Sequence, residues 1–186
     1  MDFSAFSHGQ IQSKIWLCEE LEKHITDPVR VVVLGCWYNM TGFLLFARNQ
    51  HLYKRIDGVD TNLESVGMAD KINDALKIEN KFNAFYADAN NTFYHNYDVA
   101  ICTSTEDIKE THWFERIPEG KLICLQSLNL TPKQIKKYDN WNIMNPNKTF
   151  KEFKNKYPLS STLYEGSKKF DYGDLKYTRF MIIGIK

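Results

Sequence analysis

One segment restricts the fold of this chain more than any other: the β-branched apolar stretch Val29–Leu34, which directly follows Pro28. Such a stretch is typical of a parallel strand covered by helices on both faces. Upstream, apolar residues recur at helical spacing from Ile11 to Ile25, and Ser7 and Gln10 have the spacing of a capping box. These patterns predict an amphipathic N-terminal helix followed by a core strand.

Strand and helix patterns then alternate along the chain. The next strand-like segments are Arg55–Asp60, Phe82–Ala87, Tyr97–Thr103 and Lys121–Gln126. The helical segments between them are one entering at Gly42, one marked by Val66, Ala69, Ile72 and Leu76, and a short one at His112–Arg116. This alternation predicts right-handed crossovers and an α/β, Rossmann-like, doubly wound, mostly parallel sheet in a three-layer αβα arrangement, with Val29–Leu34 in the middle of five parallel strands.

The tail departs from this alternation. Ser161–Glu165 and Tyr177–Ile185 are strand-like and are joined by a polar, lysine-rich stretch containing Gly173, so we expect an antiparallel pair and about seven strands in all. The stretch Leu128–Asn147 is rich in Asn and Lys, and we expect a substrate-facing loop there. The 186 residues show no break in composition, which predicts one domain over residues 1–186, N-terminal helix included.

Composition restricts the partners. The 24 Lys and Arg residues against 23 Asp and Glu give a net charge of +1, so nucleic acid is not a favoured partner. The longest apolar runs are far shorter than the roughly 20 residues of a membrane span, so we expect no membrane partner. The N-terminus lacks the pattern of a secretory signal, and the four cysteines have no metal-binding or paired spacing. We therefore expect a soluble, cytoplasmic protein with small buried cysteines and no metal site.

Ligands of doubly wound sheets bind beyond the carboxyl ends of the strands, and three such ends are informative here. After the first strand, Gly35 and Gly42 permit tight turning. Asp60 ends the second strand, where a carboxylate can accept hydrogen bonds from both hydroxyls of a ribose. Asp88 follows the third strand, within reach of an adenine amino group. Together these ends predict an adenosine-binding site.

From about Val29 to Gln126 the chain resembles the class I S-adenosylmethionine-dependent methyltransferases, and Tyr177–Ile185 is similar to their closing antiparallel strand. Asp60 resembles the ribose-binding acid of that family. Asp88-Ala89 resembles its adenine-binding pair. The resemblance implies a Rossmann-like fold, S-adenosylmethionine as cofactor and S-adenosylhomocysteine as product.

The glycine loop of the family is only partly retained. Gly35 and Cys36 resemble its opening, but Trp37 and Asn39 stand where the next two glycines are usual, and Val33 stands where an acid is common. Asparagine adopts the left-handed conformation more readily than most residues. We therefore expect the turn to form with Asn39 in place of a glycine.

The resemblance also implies site residues. Those expected to bind the cofactor are Gly35, Cys36, Trp37, Tyr38, Gly42, Asp60, Thr61, Asp88, Ala89 and Thr103. The loop after the fourth strand lines the methyl-transfer site in this family, and here it lacks the Asn-Pro-Pro-Tyr signature of base amino methylation. Glu106 is the candidate general base, with Ser104 beside it to orient an acceptor. The alternative for Glu106 is an acid that only stabilises a helix start.

The chain is near the minimum size of this fold, which favours a small-molecule acceptor; its oligomeric state stays open. The altered glycine loop leaves two other functions open. One is transfer of the aminocarboxypropyl group of the same cofactor, as in proteins similar to nicotianamine synthase. The other is a non-catalytic, nucleotide-binding regulatory module. An NAD-dependent oxidoreductase is less favoured, because Trp37 and Asn39 would crowd a pyrophosphate against the helix start.

Overall fold

A seven-stranded sheet organises the residues described by the computed structural model, which are 2–130, 134, 143–172 and 175–186. Its strands are β1 (Val29–Leu34), β2 (Tyr53–Asp60), β3 (Phe82–Tyr86), β4 (Val99–Cys102), β5 (Leu122–Leu128), β6 (Ser161–Tyr172) and β7 (Leu175–Ile185). They lie in the order β3-β2-β1-β4-β5-β7-β6. β1 to β5 pair in parallel, and β7 pairs antiparallel with β5 and β6. The predicted fold class is confirmed, with β1 in the middle of the five parallel strands.

Helices cover both faces of this sheet. The described residues form α1 (His8–Leu21), α2 (Met40–Asn49), α3 (Leu63–Ile72), α4 (Asp74–Ile78), α5 (His112–Arg116) and α6 (Phe150–Lys156). Val31 and Val33 of β1 lie in the apolar cluster beneath α1 and α2. Val32 and Leu34 lie in the cluster on the opposite face, beneath α5 and α6. None of the helices in this part of the chain is long and apolar enough to span a membrane.

The order of the strands reverses at β1. The chain runs from β1 outward through β2 to β3, and then crosses to β4 on the other side of β1. A crevice opens beyond the carboxyl ends of the strands at such a switch point. The segments that follow β1, β2, β3 and β4 therefore meet at one edge of the sheet.

The start of α1 differs from the expected capping box. Ser7 occupies the N-cap position, but its side chain forms no capping hydrogen bond. The Oε1 atom of Gln10 instead accepts a hydrogen bond from Nζ of Lys14 at 2.6 Å. The capping-box prediction is wrong because a buried lysine on the next turn engages the glutamine.

Three other segments also differ from the sequence prediction. The third helix divides into α3 and α4 at Asn73, whose Nδ2 donates to the carbonyl oxygen of Ala69 at 2.9 Å. The lysine-rich link in the tail is largely strand, since β6 continues to Tyr172. β6 lies at the edge of the sheet, and its exposed lysines protect it from pairing with a further strand. β5 continues to Leu128, into the expected loop. The rest of that loop, 131–133 and 135–142, and Gly173 lie outside the described residues.

The four cysteines are all buried free thiols. Burial raises the pKa of each thiol, which keeps the sulfur atoms neutral. In the described ranges, no group of three or more His, Cys, Asp or Glu residues is arranged to hold a metal ion. The expectation that the cysteines are small buried residues is confirmed.

Candidate cofactor and acceptor site

The turn from β1 to α2 contains three residues with positive φ. These are Gly35 at 56°, Trp37 at 50° and Asn39 at 47°. Asn39 also caps α2, because its Oδ1 accepts a hydrogen bond from the N–H of Gly42 at 3.1 Å. A Cβ atom on Gly35 would meet no atom within 4 Å, so the backbone there borders open space. The turn thus presents backbone to the crevice, and Asn39 provides the left-handed bend expected of it.

Asp60, the last residue of β2, holds this turn in place. Its Oδ2 accepts a hydrogen bond from the N–H of Trp37 at 2.8 Å, and its Oδ1 accepts one from the N–H of Asn62 at 2.9 Å. The backbone oxygen of Asp60 accepts from the N–H of Ala87, just beyond β3, at 3.0 Å. An ionised carboxylate has about four lone-pair sites, so each oxygen retains capacity for a further donor. The carboxylate is therefore oriented in advance at the edge of the crevice.

The turn packs closely on β2 because of Gly58. A Cβ atom on Gly58 would lie 2.8 Å from Sγ of Cys36 and 3.0 Å from Nδ2 of Asn39. The N–H of Cys36 donates to the carbonyl oxygen of Val59 at 3.0 Å. Any larger residue at position 58 would push the turn away from Asp60.

Three residues of the β1–α2 turn that are predicted to bind the cofactor are buried in the structure. Cys36 packs against Gly58, and Gly42 packs against the side chain of Asn39. The hydroxyl of Tyr38 accepts a hydrogen bond from the N–H of Asp2 at 2.7 Å. The observed contacts of Cys36, Gly42 and Tyr38 support the shape of the turn.

Two further segments border the crevice beside Asp60. Thr61 is exposed immediately after Asp60. Asp88 is exposed at the start of the helical turn Ala89–Asn91, and its Oδ1 accepts from the N–H of Asn90 at 2.8 Å. Ala89 itself is buried, and its carbonyl oxygen accepts from the hydroxyl of Tyr94 at 2.6 Å. An exposed carboxylate therefore follows β3, on the same edge of the sheet as Asp60.

Glu106, beyond β4, is a buried acid with only 1% of its surface exposed. Burial, reinforced by the charge of Asp107, raises its pKa from an ordinary 4.5 to about 8, while Arg179 and a hydrogen bond with Ser127 oppose the shift. Its Oε2 has no hydrogen-bond partner among the described residues. A carboxyl group with such a pKa can both take up and release a proton near neutral pH.

Neighbouring segments hold Glu106 in this position. Its backbone oxygen accepts from the N–H groups of Met144 and Asn145 at 2.9 and 2.8 Å. Nδ2 of Asn147 donates to Oγ of Ser127 at 2.7 Å, which connects the same segment to the partner of Glu106. Ser104, two residues before Glu106, is half-buried. The acid is therefore supported on two sides of its loop.

Arg179 of β7 reaches the end of β4. Its Nη1 donates to the carbonyl oxygen of Thr103 at 2.7 Å, and the whole side chain is buried. Asp107 lies within electrostatic range of both Arg179 and Asp60. The two sides of the crevice are therefore close enough for their charges to interact.

Comparison with known proteins shows that this chain is similar in fold to several solved structures. No protein-family model matches the sequence, and no curated protein matches it in sequence. Among solved structures, the MccD protein has a TM-score of 0.71 at 13% identity, covering 96% of this chain and 98% of that one. YcgJ from Bacillus subtilis has a TM-score of 0.68 at 12% identity, covering 95% and 98%.

A third similar structure is that of a methyltransferase. Geranyl diphosphate C-methyltransferase from Streptomyces coelicolor, in complex with geranyl diphosphate and S-adenosyl-L-homocysteine, has a TM-score of 0.65 at 10% identity, covering 92% of this chain and 78% of that one. This chain has the class I methyltransferase fold. At these identities the likeness concerns the fold, and the roles of individual residues rest on the geometry of this chain.

Within this methyltransferase fold, the residues proposed from sequence form two groups. The β1–α2 turn and Asp60 are joined directly by hydrogen bonds. Thr103 and Glu106 follow β4 and both interact with Arg179. Asp88 is connected to the first group through the backbone, because the N–H of Ala87 donates to the carbonyl oxygen of Asp60.

Sequence reasoning missed four residues that shape this site: Gly58, Ser127, Asn147 and Arg179. Arg179 had a usable signal, because it is a charged residue beside the apolar stretch Phe180–Ile183 of a core strand. Gly58 also had one, because glycine inside a strand often marks a close approach of backbone. Ser127 and Asn147 gave none, since their contacts depend on long-range packing.

Replacing Asn39 by alanine is expected to destabilise the protein by about 2 kcal/mol, because alanine loses the cap on α2 and is strained in a left-handed conformation. Glycine also loses the cap but adopts a φ of 47° freely, so Asn39→Gly is expected to destabilise less than Asn39→Ala. Urea unfolding of both variants measures the difference. Equal losses would show that the left-handed geometry contributes nothing.

Proposed function

We propose that this protein is an S-adenosylmethionine-dependent methyltransferase acting on a small-molecule acceptor. The observation that carries the proposal is the carboxylate of Asp60, which two backbone N–H groups orient beside the open space at Gly35. A fixed carboxylate next to accessible backbone complements a ribose with two free hydroxyls. The residues present therefore fit an adenosine-containing cofactor.

The proposed contacts follow the strand ends. Asp60 and Thr61 bind the ribose, and Asp88 with Ala89 binds the adenine. The β1–α2 turn at 35–42 and Thr103 contact the remainder of the cofactor. When bound, S-adenosylmethionine supplies an electrophilic methyl group on a sulfonium centre.

Glu106 is the proposed general base, and Ser104 orients the acceptor. Methyl transfer requires an acceptor held in line and, for a protonated amine or a hydroxyl, removal of a proton. The ionised form of Glu106 takes up that proton, and a pKa of about 8 places its ionisation in a useful range. Because Glu106 is buried, the accepting atom has to enter the interior. This requirement favours a small molecule.

The first experiment is thermal melting with S-adenosylmethionine, S-adenosylhomocysteine, NAD and ATP. A ligand at a hundred times its dissociation constant stabilises the native state by about 2.7 kcal/mol, which raises the melting temperature of a chain this size by roughly 5–10 °C. We expect that shift with the first two ligands only. Stabilisation by NAD, with none by S-adenosylhomocysteine, would contradict the proposal.

The second experiment identifies the transferred group. The protein is incubated with S-adenosylmethionine labelled in its methyl group and with pools of small amines, acids and alcohols. Mass spectrometry then distinguishes a product that has gained a methyl group from one that has gained an aminocarboxypropyl group. Methyl transfer places the label on the acceptor, whereas aminocarboxypropyl transfer leaves it on 5′-methylthioadenosine. Cofactor binding with neither product across the pools would favour the non-catalytic module.

A further inference from the structure

Two basic side chains are buried next to the candidate site. Lys14 of α1 is 6% exposed and Arg179 of β7 is 1% exposed. Gln126 of β5 connects their elements, because its Nε2 donates to the carbonyl oxygen of Ser13 at 3.0 Å and lies 3.5 Å from Sδ of Met181. Residues two apart in a strand share a face, so Arg179 and Met181 both face α1. We call Lys14, Gln126 and Arg179 the α1–β7 chamber.

The hydrogen bonds of this chamber are incomplete. Nζ of Lys14 donates to Oε1 of Gln10 at 2.6 Å, although an ammonium carries three protons. Nε of Arg179 and Oε1 of Gln126 are buried and have no partner in the described ranges. Gln126 binds a carbonyl oxygen through Nε2, which fixes the orientation of its amide and leaves Oε1 as an acceptor.

The negative charge near the chamber does not balance both bases: Asp107, whose pKa of about 6 leaves it ionised at neutral pH, lies within electrostatic range of Arg179 but forms no ion pair with it in the described part of the chain. Within the part of the chain that the structure describes, neither Lys14 nor Arg179 forms an ion pair with a carboxylate. Burial, and secondly the charge of Arg179, lowers the pKa of Lys14 to about 7. Burial keeps Glu106 mostly protonated at neutral pH, so it does not compensate the two bases. Two buried bases without a directly paired carboxylate are unfavourable unless a ligand supplies one.

We infer that Lys14 and Arg179 bind a carboxylate, and that Oε1 of Gln126 accepts a hydrogen bond from an amino group beside it. The ligand chemistry is thus an α-amino acid moiety. Arg179 contacts Thr103 at the end of β4, which places the chamber beside the crevice. The moiety has two sources, the methionine end of the cofactor or an amino acid acceptor, and in this respect the inference rests on the proposed function.

The test compares S-adenosylhomocysteine with 5′-methylthioadenosine, which has the same adenosine and thioether but no α-amino acid group. Calorimetry is performed on the wild type, on Lys14→Met and on Lys23→Met, a control lysine in an exposed ion pair with Glu20. If the cofactor is the source, Lys14→Met weakens binding of S-adenosylhomocysteine by about tenfold or more and leaves 5′-methylthioadenosine unchanged. Lys23→Met changes neither.

A second arm uses glycine as the probe of an acceptor site. If the acceptor is the source, glycine raises the melting temperature of the wild type saturated with S-adenosylhomocysteine, and Lys14→Met removes this shift. The inference is overturned if Lys14→Met alters neither the ratio of the two nucleoside affinities nor the effect of glycine. If neither nucleoside binds the wild type, the proposed function fails. The effect of glycine on the melting temperature of the unliganded wild type and of Lys14→Met then still tests whether the chamber binds a carboxylate.

The stability of the unliganded variant separates binding from folding. Lys14→Met removes a buried basic group and keeps its length, so we expect a melting temperature equal to or above that of the wild type. Lys14→Gln, which is shorter and neutral, is the second variant if methionine crowds the chamber. A large loss of melting temperature in both variants would assign Lys14 to folding and overturn the inference.

Discussion

Glu106→Gln is expected to slow methyl transfer by roughly a hundredfold or more while leaving the affinity for S-adenosylhomocysteine nearly unchanged. Glutamine has the shape of glutamate but cannot take up a proton from the acceptor. The wild-type rate is expected to rise as the pH approaches about 8, where Glu106 ionises, and the variant is expected to lose this rise. Rates on the acceptor found by labelling, measured from pH 6 to about 9, test both statements.

Glu110→Gln is the matched control, because Glu110 lies in the same loop but is exposed and pairs with His112 at the surface. It is expected to keep both rate and pH profile. If Glu106 only stabilised a helix start, Glu106→Gln would turn over normally and lose less than about 1 kcal/mol of stability. A fully active Glu106→Gln enzyme would refute the assignment.

The burial of Glu106 has a second measurable effect, on stability. Its pKa is raised in the folded state, so the native protein holds this proton more tightly than the unfolded chain. The stability from this group is therefore complete below about pH 4.5 and is lost as the pH rises through about 8. Glutamine cannot ionise, so Glu106→Gln is expected to gain on the order of 3–4 kcal/mol over the wild type between pH 5 and 8. Urea unfolding of both proteins at the two pH values shows whether the variant gains free energy of unfolding relative to the wild type as the pH rises.

The sheet could be predicted from sequence because each strand is specified by residues that are close together in the chain. β1 and β2 are marked by apolar, β-branched residues, and each ends in a turn or an acid. Once the alternation with helices is recognised, the handedness of crossovers leaves few topologies. The positions of Asp60 and Glu106 at strand ends follow from the same pattern.

The α1–β7 chamber could not be predicted, because it depends on which strands become neighbours. Arg179 lies opposite Leu128 only because β7 inserts antiparallel between β5 and β6. The sequence places Gln10 and Lys14 on the first turns of the N-terminal helix, at the top of the expected pocket, but the burial of Lys14 follows from the position of α1 over β7. The conformation of Trp37 was equally hidden, because its positive φ is one that glycine adopts far more readily than tryptophan. The carboxylate of Asp60 holds it there by accepting a hydrogen bond from its N–H.

Asp60→Ala is expected to weaken binding of S-adenosylhomocysteine by at least about tenfold, since two charge-assisted hydrogen bonds to a ribose contribute on the order of 1.5–3 kcal/mol. Asp60 also holds the β1–α2 turn, so a loss of affinity alone does not separate ligand contact from a loosened turn. Asn39→Ala is the control, because it disturbs the turn without removing the carboxylate. We expect Asp60→Ala to lose more affinity than Asn39→Ala.

A cycle with a modified ligand isolates the ribose contact. The 2′-deoxy form of S-adenosylhomocysteine lacks one of the two hydroxyls, so it is expected to bind the wild type more weakly than the parent compound. The two ligands are expected to bind Asp60→Ala about equally, because the acceptor of the missing hydroxyl is already gone. Calorimetry on the four combinations gives the coupling energy. A penalty for the 2′-deoxy ligand that is the same in both proteins would mean that Asp60 acts on the turn alone, because a carboxylate that does not touch the ribose cannot sense its hydroxyl.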